Sequence, residues 1–412
     1  MQSFTYLIIG GGVAGTTAAE TLRKRNPDVS IAIVTDEPHP LYSRVLLSKP
    51  AFLTGTQPFD SVWMKKLEWY ETERITLMPG RKAASLDATK KVVTLLDGEE
   101  LQYEKLLLAT GTHTRHLKVP GAEKKGVHYL RTLEHARSII ADLAEGRSHA
   151  VMIGSACVTY EVADILRSKG IEVTEVMREH YFWEPTLSSE EASLVESRLK
   201  ERGVTIIQEA EIAEVTGAES VEGVILKDGR HLSCDMVFAF IGVVHPTEWI
   251  ASSGIAIDRG TLTNEYLETS LPDVFAAGDG VRFKDIILGD TVMMGNWMNA
   301  VKQGETAAEN MLGDKKPFML ISFHSSHGFG DMISFAGDAR AREDRTYIMR
   351  GDKDARALGR LILRGNKIVG ATMVNRTSEL NAIVKIITAK VDVSTKLSEL
   401  ADANFDLKTL IP

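Results

Sequence analysis

The run Tyr6 to Gly15, Tyr-Leu-Ile-Ile-Gly-Gly-Gly-Val-Ala-Gly, constrains this chain more than any other segment. An apolar stretch enters Gly10-x-Gly12-x-x-Gly15 and continues into the helix-like segment Thr16 to Arg25. Each glycine answers a different steric need. Gly10 permits a tight turn, Gly12 leaves the backbone bare for close approach, and Gly15 lets helix and strand pack together. Val13 and Ala14 open the helix, where unpaired N–H groups and the positive end of the dipole favour an anion. Strand, glycine turn and helix in this order predict a cradle for the diphosphate of a dinucleotide. A second strand, Ser30 to Thr35, ends in Asp36-Glu37, which brings a carboxylate within reach of ribose hydroxyls.

The opening pattern recurs. After Pro38 comes a proline-containing loop with Tyr42, Arg44 and Lys49, and residues 75 to 107 alternate apolar and polar positions around Asp97-Gly98, which predicts a β-meander. A buried strand, Lys105 to Ala109, then ends in Thr110-Gly111. From Ala150 the chain repeats itself: strand, the turn Gly154-Ser-Ala156-Cys-Val-Thr159, helix, a strand Glu172 to Met177, an alternating segment turning at Asp228-Gly229, and a strand Met236 to Gly242. Leu271 to Ala277 reads as a short strand ending in Gly278-Asp279, followed by a helix Trp297 to Leu312 with Ala300, Gly304, Ala307 and Ala308 on one small-residue face. Beyond Pro317, strands at Met332 to Phe335, Arg360 to Leu363 and Lys367 to Met373 precede an amphipathic helix, Ser378 to Ala389.

A chain of 412 residues is too long for one core, so several domains are expected. The repeat predicts an α/β fold: two Rossmann-like three-layer domains and a C-terminal α+β domain. The boundaries fall at 1–115 with 243–317 for the first domain, 116–242 for the second and 318–412 for the third. A net charge of −8 argues against a nucleic-acid partner. No apolar run approaches the roughly 20 residues of a membrane span, and the N-terminus enters a strand without a basic leader. A cytoplasmic protein is the expectation. The only cysteines, Cys157 and Cys234, are far apart, which excludes a redox-active dithiol and a cysteine metal site of ordinary spacing. No metal is expected.

The chain resembles the two-dinucleotide flavoprotein family of pyridine-nucleotide reductases, in particular its ferredoxin, rubredoxin and putidaredoxin reductase branch. Four motifs carry the likeness: Gly10-x-Gly12-x-x-Gly15; Glu37-Pro with Tyr42-x-Arg44 and Leu47-Ser48-Lys49; Ala109-Thr110-Gly111; and Ala276-Ala-Gly278-Asp279. The resemblance implies FAD as cofactor, NAD(P)H as donor and an iron–sulfur protein as electron acceptor, and is compatible with a homodimer. Position by position, it implies that Asp36 or Glu37 binds the adenosine ribose and that the Ala83 backbone meets adenine. Arg44 and Lys49 would contact the ribityl–flavin part, Arg131 the pyrophosphate and Asp279 the ribityl hydroxyls. The Trp297 backbone would meet the pyrimidine edge of the ring. It also implies a pair, Lys49 with Glu161, at the reactive edge of the flavin, where a held cation stabilises charge that develops on reduction.

The second turn departs from the family pattern. Of its glycines only Gly154 stands; Ala156 puts a methyl where a pyrophosphate meets bare backbone, and Thr159 replaces the packing glycine. The next strand ends Val176-Met177-Arg178, with methionine where an NAD site offers a carboxylate. Two readings are open: Arg178 receives a 2′-phosphate, with Gly242 among the cofactor-binding residues, or the nicotinamide site is weakened or lost and Tyr181-Phe-Trp183 fills the space or meets another partner. In the second case the protein is an electron-transfer or sensor subunit reduced by a partner. Cys157, at a helix N-terminus, is either a thiol of lowered pKa or a buried inert one. Relatives carry tryptophan and glutamine early in the last domain where Phe323-His324-Ser-Ser-His327 stands here, so either histidine faces the flavin or both are structural. Finally, nine basic and five acidic residues between Asp338 and Lys367 give that segment +4 against −12 elsewhere. This is a docking patch for an acidic partner or a mixed-charge surface.

Overall fold

The first strand, β1 (Gln2–Ile9), runs through the middle of a sheet, and that placement explains its unbroken apolar sequence. Both neighbours are parallel to it: β2 (Ile31–Thr35) on one side and β6 (Glu100–Leu108) on the other. Leu7 and Ile8 are fully buried, each worth about 1.5–3 kcal/mol of apolar transfer. In this computed structural model, which describes residues Met1–Pro412, the backbone gathers into two compact units. The first comprises Met1–Ser43, Asp60–His113 and Val243–Ser322; the second comprises Arg44–Phe59, Thr114–Gly242 and Phe323–Pro412.

The sheet of the first unit has the order β3-β2-β1-β6-β5-β4, with β3 (Ile75–Pro79), β4 (Ala83–Asp87) and β5 (Val92–Leu95). Only β4, β5 and β6 form the antiparallel meander expected of residues 75 to 107. β3 instead pairs parallel with β2, Ile31 opposite Ile75, because a helix before it returns the chain to the same end of the sheet. The strand Val274–Ala276 adds to β6, Ala276 opposite Leu108, while Ile9 also sits opposite Leu108. Three chain segments therefore leave the sheet side by side at its carboxyl end.

Helix α1 (Val13–Arg25) packs against helix Trp297–Met311. The small-residue face has a steric reason: a Cβ on Gly304 would lie 2.3 Å from the carbonyl oxygen of Ala14.

The second unit contains a parallel sheet ordered Val204–Ile207, Glu172–Val176, His149–Ile153, Met236–Ala239, Val127–His128. Its core includes Val151, Ile153, Val176, Val215, Val224 and Val237, with Cys234 among them as a small hydrophobe. A five-stranded antiparallel sheet, Phe323–Gly328, Asp331–Gly337, Lys367–Val374, Ala357–Arg364 and Thr346–Asp352 in spatial order, packs on helix Leu380–Thr388. The helix buries Leu380, Ile383, Ile386 and Ile387, which share one face at three- and four-residue spacing.

One buried group works against this unit. Glu175, next to last in strand Glu172–Val176, is wholly buried, and neither carboxyl oxygen has a hydrogen-bond partner. Desolvation first, and the charge of Glu196 second, hold its pKa well above the ordinary carboxyl range. A folded pKa raised above the unfolded one gives stability at low pH that is lost as pH rises. Glu175→Leu is therefore expected to raise unfolding stability at pH 7 by about 1–3 kcal/mol. In urea titrations, the advantage should shrink as pH falls toward the unfolded carboxyl value of about 4.3.

Candidate functional site

At the carboxyl end of the first unit's sheet, Gly10 leaves β1 with φ +121, and a Cβ there would lie 2.1 Å from the carbonyl oxygen of Ala109. Its N–H donates to Val34 O at 2.7 Å, and Ala109 N–H donates to Ile9 O at 2.8 Å, which knits the two turns together. Gly15 is equally crowded, since its Cβ would fall 2.0 Å from Gly10 O. Gly12 is different: a Cβ there would meet nothing within 4 Å. It is the N-cap of α1, yet no side chain caps the helix and its first turn holds no acidic residue. Bare backbone, unanswered N–H groups and a positive helix end make an open cradle for a diphosphate. This is an observation that FAD fits.

The other sequence-marked groups of this unit surround the cradle. Ala277 N–H donates to Leu108 O, and the Gly278 N–H donates to the buried Gln303 side chain at 2.7 Å, a bond not foreseen from sequence. Gly278 has φ +93, and a Cβ there would be 3.2 Å from that of Ala14. Gly280 comes so close to Gly111 that a Cβ would sit 2.8 Å from its oxygen. Asp279 follows Gly278 and faces Gly295, just before helix Trp297–Met311. Asn296 caps that helix through Asn299 N–H, so its side chain leaves the Trp297 N–H unanswered. At the end of β2, Asp36 is exposed, whereas half-buried Glu37 accepts from Tyr42 Oη at 2.5 Å. Ala83 opens β4.

The second unit brings together Arg44, Lys49, Arg131 and Glu161. Arg44 Nη1 donates to Arg131 O at 2.8 Å, just before a helix capped by Thr132. Lys49 Nζ lies 2.9 Å from Glu161 Oε1, with the lysine side chain 33% and the glutamate 9% exposed. Two further donors reach the same carboxylate: Ser48 Oγ to Oε2 at 2.5 Å and Ser326 Oγ to Oε1 at 3.1 Å. Neither serine was assigned a role from sequence. Strand alternation is the signal that could have found Ser326, two residues from His324 on the same face. The His324 ring stacks on Phe335 with centroids 4.8 Å apart.

The repeated turn keeps its shape. Gly154 has φ +105, with Phe240 O 2.4 Å from where a Cβ would stand, and Ala156 caps helix Cys157–Ser168 without a side-chain bond. Helix and strand still close over Thr159, which is fully buried. Phe182 is also fully buried against Tyr160, while the Trp183 ring lies on Phe335 and the Trp183 backbone N–H donates to Ser155 Oγ. Met177 is buried and offers nothing to a ribose. Arg178 projects outward, paired to Glu179 at 2.9 Å, and His180 pairs with Glu209 at 3.1 Å. Gly242 has φ +94 and open space where a Cβ would be. Desolvation pushes the Cys157 thiol up to about 11, which opposes the reading of a lowered pKa at the helix N-terminus.

The basic segment is largely turned inward. Asp338 holds Arg340, Arg342 and Arg345; Asp331 holds Arg356; Glu191 holds Arg360; and buried Arg350 bonds Leu400 O, Phe405 O and Glu379. These pairs tie loops together and leave little of the excess charge for a partner.

Residues 4–304 match the family profile described as pyridine nucleotide-disulphide oxidoreductase, and residues 326–411 match a reductase C-terminal domain. The chain belongs to the pyridine nucleotide-disulphide oxidoreductase family. It is an oxidoreductase whose cofactors are FAD and a pyridine nucleotide. Among its relatives, nitrite reductase [NAD(P)H] of Bacillus subtilis (strain 168) is 30% identical over 412 residues, covering 98% of this chain and 50% of the relative. The chain thus spans half of that protein. Rhodocoxin reductase of Rhodococcus erythropolis is 30% identical over 406 residues, covering 98% of this chain and 94% of the relative. A covalent putidaredoxin reductase–putidaredoxin complex has a chain that superposes with a TM-score of 0.91 at 27% identity, covering 100% of this chain and 98% of that one. No helix is long and apolar enough to cross a membrane.

Proposed function

We propose that this protein takes hydride from NADH onto FAD and passes the electrons singly to an iron–sulfur protein, as a cytoplasmic reductase. The observation that carries the reading is the convergence of Gly10–Gly15, Ala109–Gly111 and Gly278–Asp279 at one sheet end, over a helix no side chain caps. The printed names of the relatives, a rhodocoxin reductase and a reductase joined to putidaredoxin, support the class of acceptor. In this reading residues 1–115 with 243–317 bind FAD, 116–242 take the donor and 318–412 form the C-terminal domain. FAD supplies the chemistry: it accepts two electrons as hydride and releases them one at a time.

The residues are assigned as follows in this reading. The N–H groups from Gly12 to Gly15, with Val13 and Ala14, hold the diphosphate, and Arg131 adds a positive charge to it. Glu37, oriented by Tyr42, takes the adenosine ribose in preference to Asp36, and the Ala83 backbone meets adenine. Ala109, Thr110 and Gly111 wall the cradle, Arg44 and Asp279 hold the ribityl chain, and the Trp297 N–H meets the pyrimidine edge. Lys49, paired with Glu161 at rest, reaches the reactive edge, where its ammonium would lower the cost of developing negative charge. The donor binds over Gly154, Ala156 and Gly242 at the uncapped helix Cys157–Ser168.

The outward Arg178 does not make this an NADPH site. Its guanidinium is taken by Glu179, and Glu211 also acts on it. His180 is paired to Glu209. Carboxylates around the strand end repel a 2′-phosphate. Rapid mixing under anaerobic conditions should show NADH bleaching the flavin with a second-order rate at least about tenfold above that of NADPH. Addition of an oxidised [2Fe–2S] protein should then restore the flavin spectrum. A flavin that neither nucleotide bleaches rejects the reading in favour of a subunit reduced by a partner.

A further inference from the structure

We propose that Ser326 and Ser48 are positioning residues that keep Glu161 hydrogen-bonded when Lys49 turns from it toward the flavin. The inference rests on the assignment of Lys49 to the flavin's reactive edge.

Glu161 lies in helix Cys157–Ser168 and is almost wholly buried, so its carboxylate depends on protein donors for what water would supply. It has three. Lys49 and Ser326 share Oε1, and Ser48 alone takes Oε2. Their mobility differs. Ser326 is 1% exposed on strand Phe323–Gly328, which packs directly on the helix; its hydroxyl also lies 3.4 Å from Cys157 O. That strand lies tight against the helix, since a Cβ on Gly328 would lie 2.7 Å from the Tyr160 ring. Ser48 closes the short helical turn Arg44–Ser48, immediately before the lysine. Lys49, by contrast, has a long side chain that is one-third exposed. The serines are fixed donors and the lysine is the mobile one.

A cation bound by one carboxylate and needed by another negative charge is useful only if leaving the first does not strand it. Without the serines, departure of Lys49 would leave a buried carboxylate with no donor, and the lysine would be held back by that cost. With them, Glu161 keeps one hydrogen bond on each oxygen. The serines thereby loosen the lysine while keeping it within reach.

The test is the midpoint potential of the FAD-loaded protein, read by equilibration with a reference dye, together with the rate of reduction by NADH. Ser326→Ala should make the potential more negative by up to about 30 mV, which is a tenfold change in the equilibrium constant of a two-electron couple, and should slow reduction by about threefold to tenfold. Ser326→Thr should restore both, and Ser48→Ala should reproduce the loss from the other oxygen, which keeps the test open if Ser326→Ala fails to fold. Ser325→Ala should change neither value, because Ser325 bonds Ser334 on the opposite face of the strand. If Lys49→Met shifts the potential and neither serine variant does, the inference is overturned while the assignment of Lys49 stands. If Lys49→Met itself leaves the potential unchanged, the assignment falls first. Failure of threonine to restore an effect of alanine also overturns the positioning role.

Discussion

Gly12→Val should leave the protein folded and strip it of FAD. Gly12 has φ −71, a conformation any residue adopts, and a Cβ there meets no protein atom within 4 Å. The folded chain therefore has no objection to a side chain at this position. The objection comes from the diphosphate, whose close approach to the N–H groups of α1 needs that space empty. An affinity loss of at least about 100-fold is expected, equivalent to about 2.7 kcal/mol, measured by titrating apoprotein with FAD. The circular dichroism and the thermal midpoint of the apoprotein should match the parent's. Gly10→Ala gives the contrast: φ +121 and a carbonyl 2.1 Å from the new carbon make it a folding mutant. If Gly12→Val retained FAD at parental affinity, the cradle would be misplaced.

Lys49→Met should retain FAD and lose most of its reduction rate. Methionine keeps the length and apolar stem of the side chain, so packing changes little, while the cation disappears from the edge where charge develops. Loss of one preorganised donor of this kind costs about 100- to 1,000-fold in the chemical step. Removing the lysine should cost less stability than the about 3–5 kcal/mol of breaking a fully buried pair. Two reasons stand in the structure: a third of the lysine is exposed, and Ser48 and Ser326 remain on Glu161. Single-turnover reduction by NADH reads the effect directly. A rate within a factor of about three of the parent's would remove Lys49 from the chemistry.

The cradle was legible in the sequence because its constraints are local. Gly10, Gly12 and Gly15 lie within one turn, and each answers a steric demand set by its immediate neighbours, so spacing alone carries the information. The meeting of that turn with Ala109–Gly111 and Gly278–Asp279 is a matter of sheet register, and it was accessible only through resemblance. Strand β3 was misread as meander because its alternation of buried and open positions resembles that of β4 and β5; which partner it takes is decided by the helix before it. The strands Phe323–Gly328 and Thr346–Asp352 escaped because they lie at the two edges of their sheet and are rich in polar residues. Ser326 was hidden for that reason. It bonds Glu161, 165 positions earlier in the chain, and although strand alternation could place Ser326 on a face, it does not name that partner. The arginines between Asp338 and Lys367 misled in the opposite direction: composition counts charges, whereas Asp331, Asp338, Glu191 and Glu379 decide how many are left over.

The central claim is a flavin dinucleotide held by its diphosphate over the N-terminus of α1. Titration of the apoprotein with FAD and, separately, with FMN tests it most directly, because FMN has the ring and one phosphate but lacks the diphosphate and adenosine. The account expects one FAD bound per chain, with FMN weaker by at least about 100-fold. Equal binding of both flavins, or a protein that stays colourless with either, would contradict it.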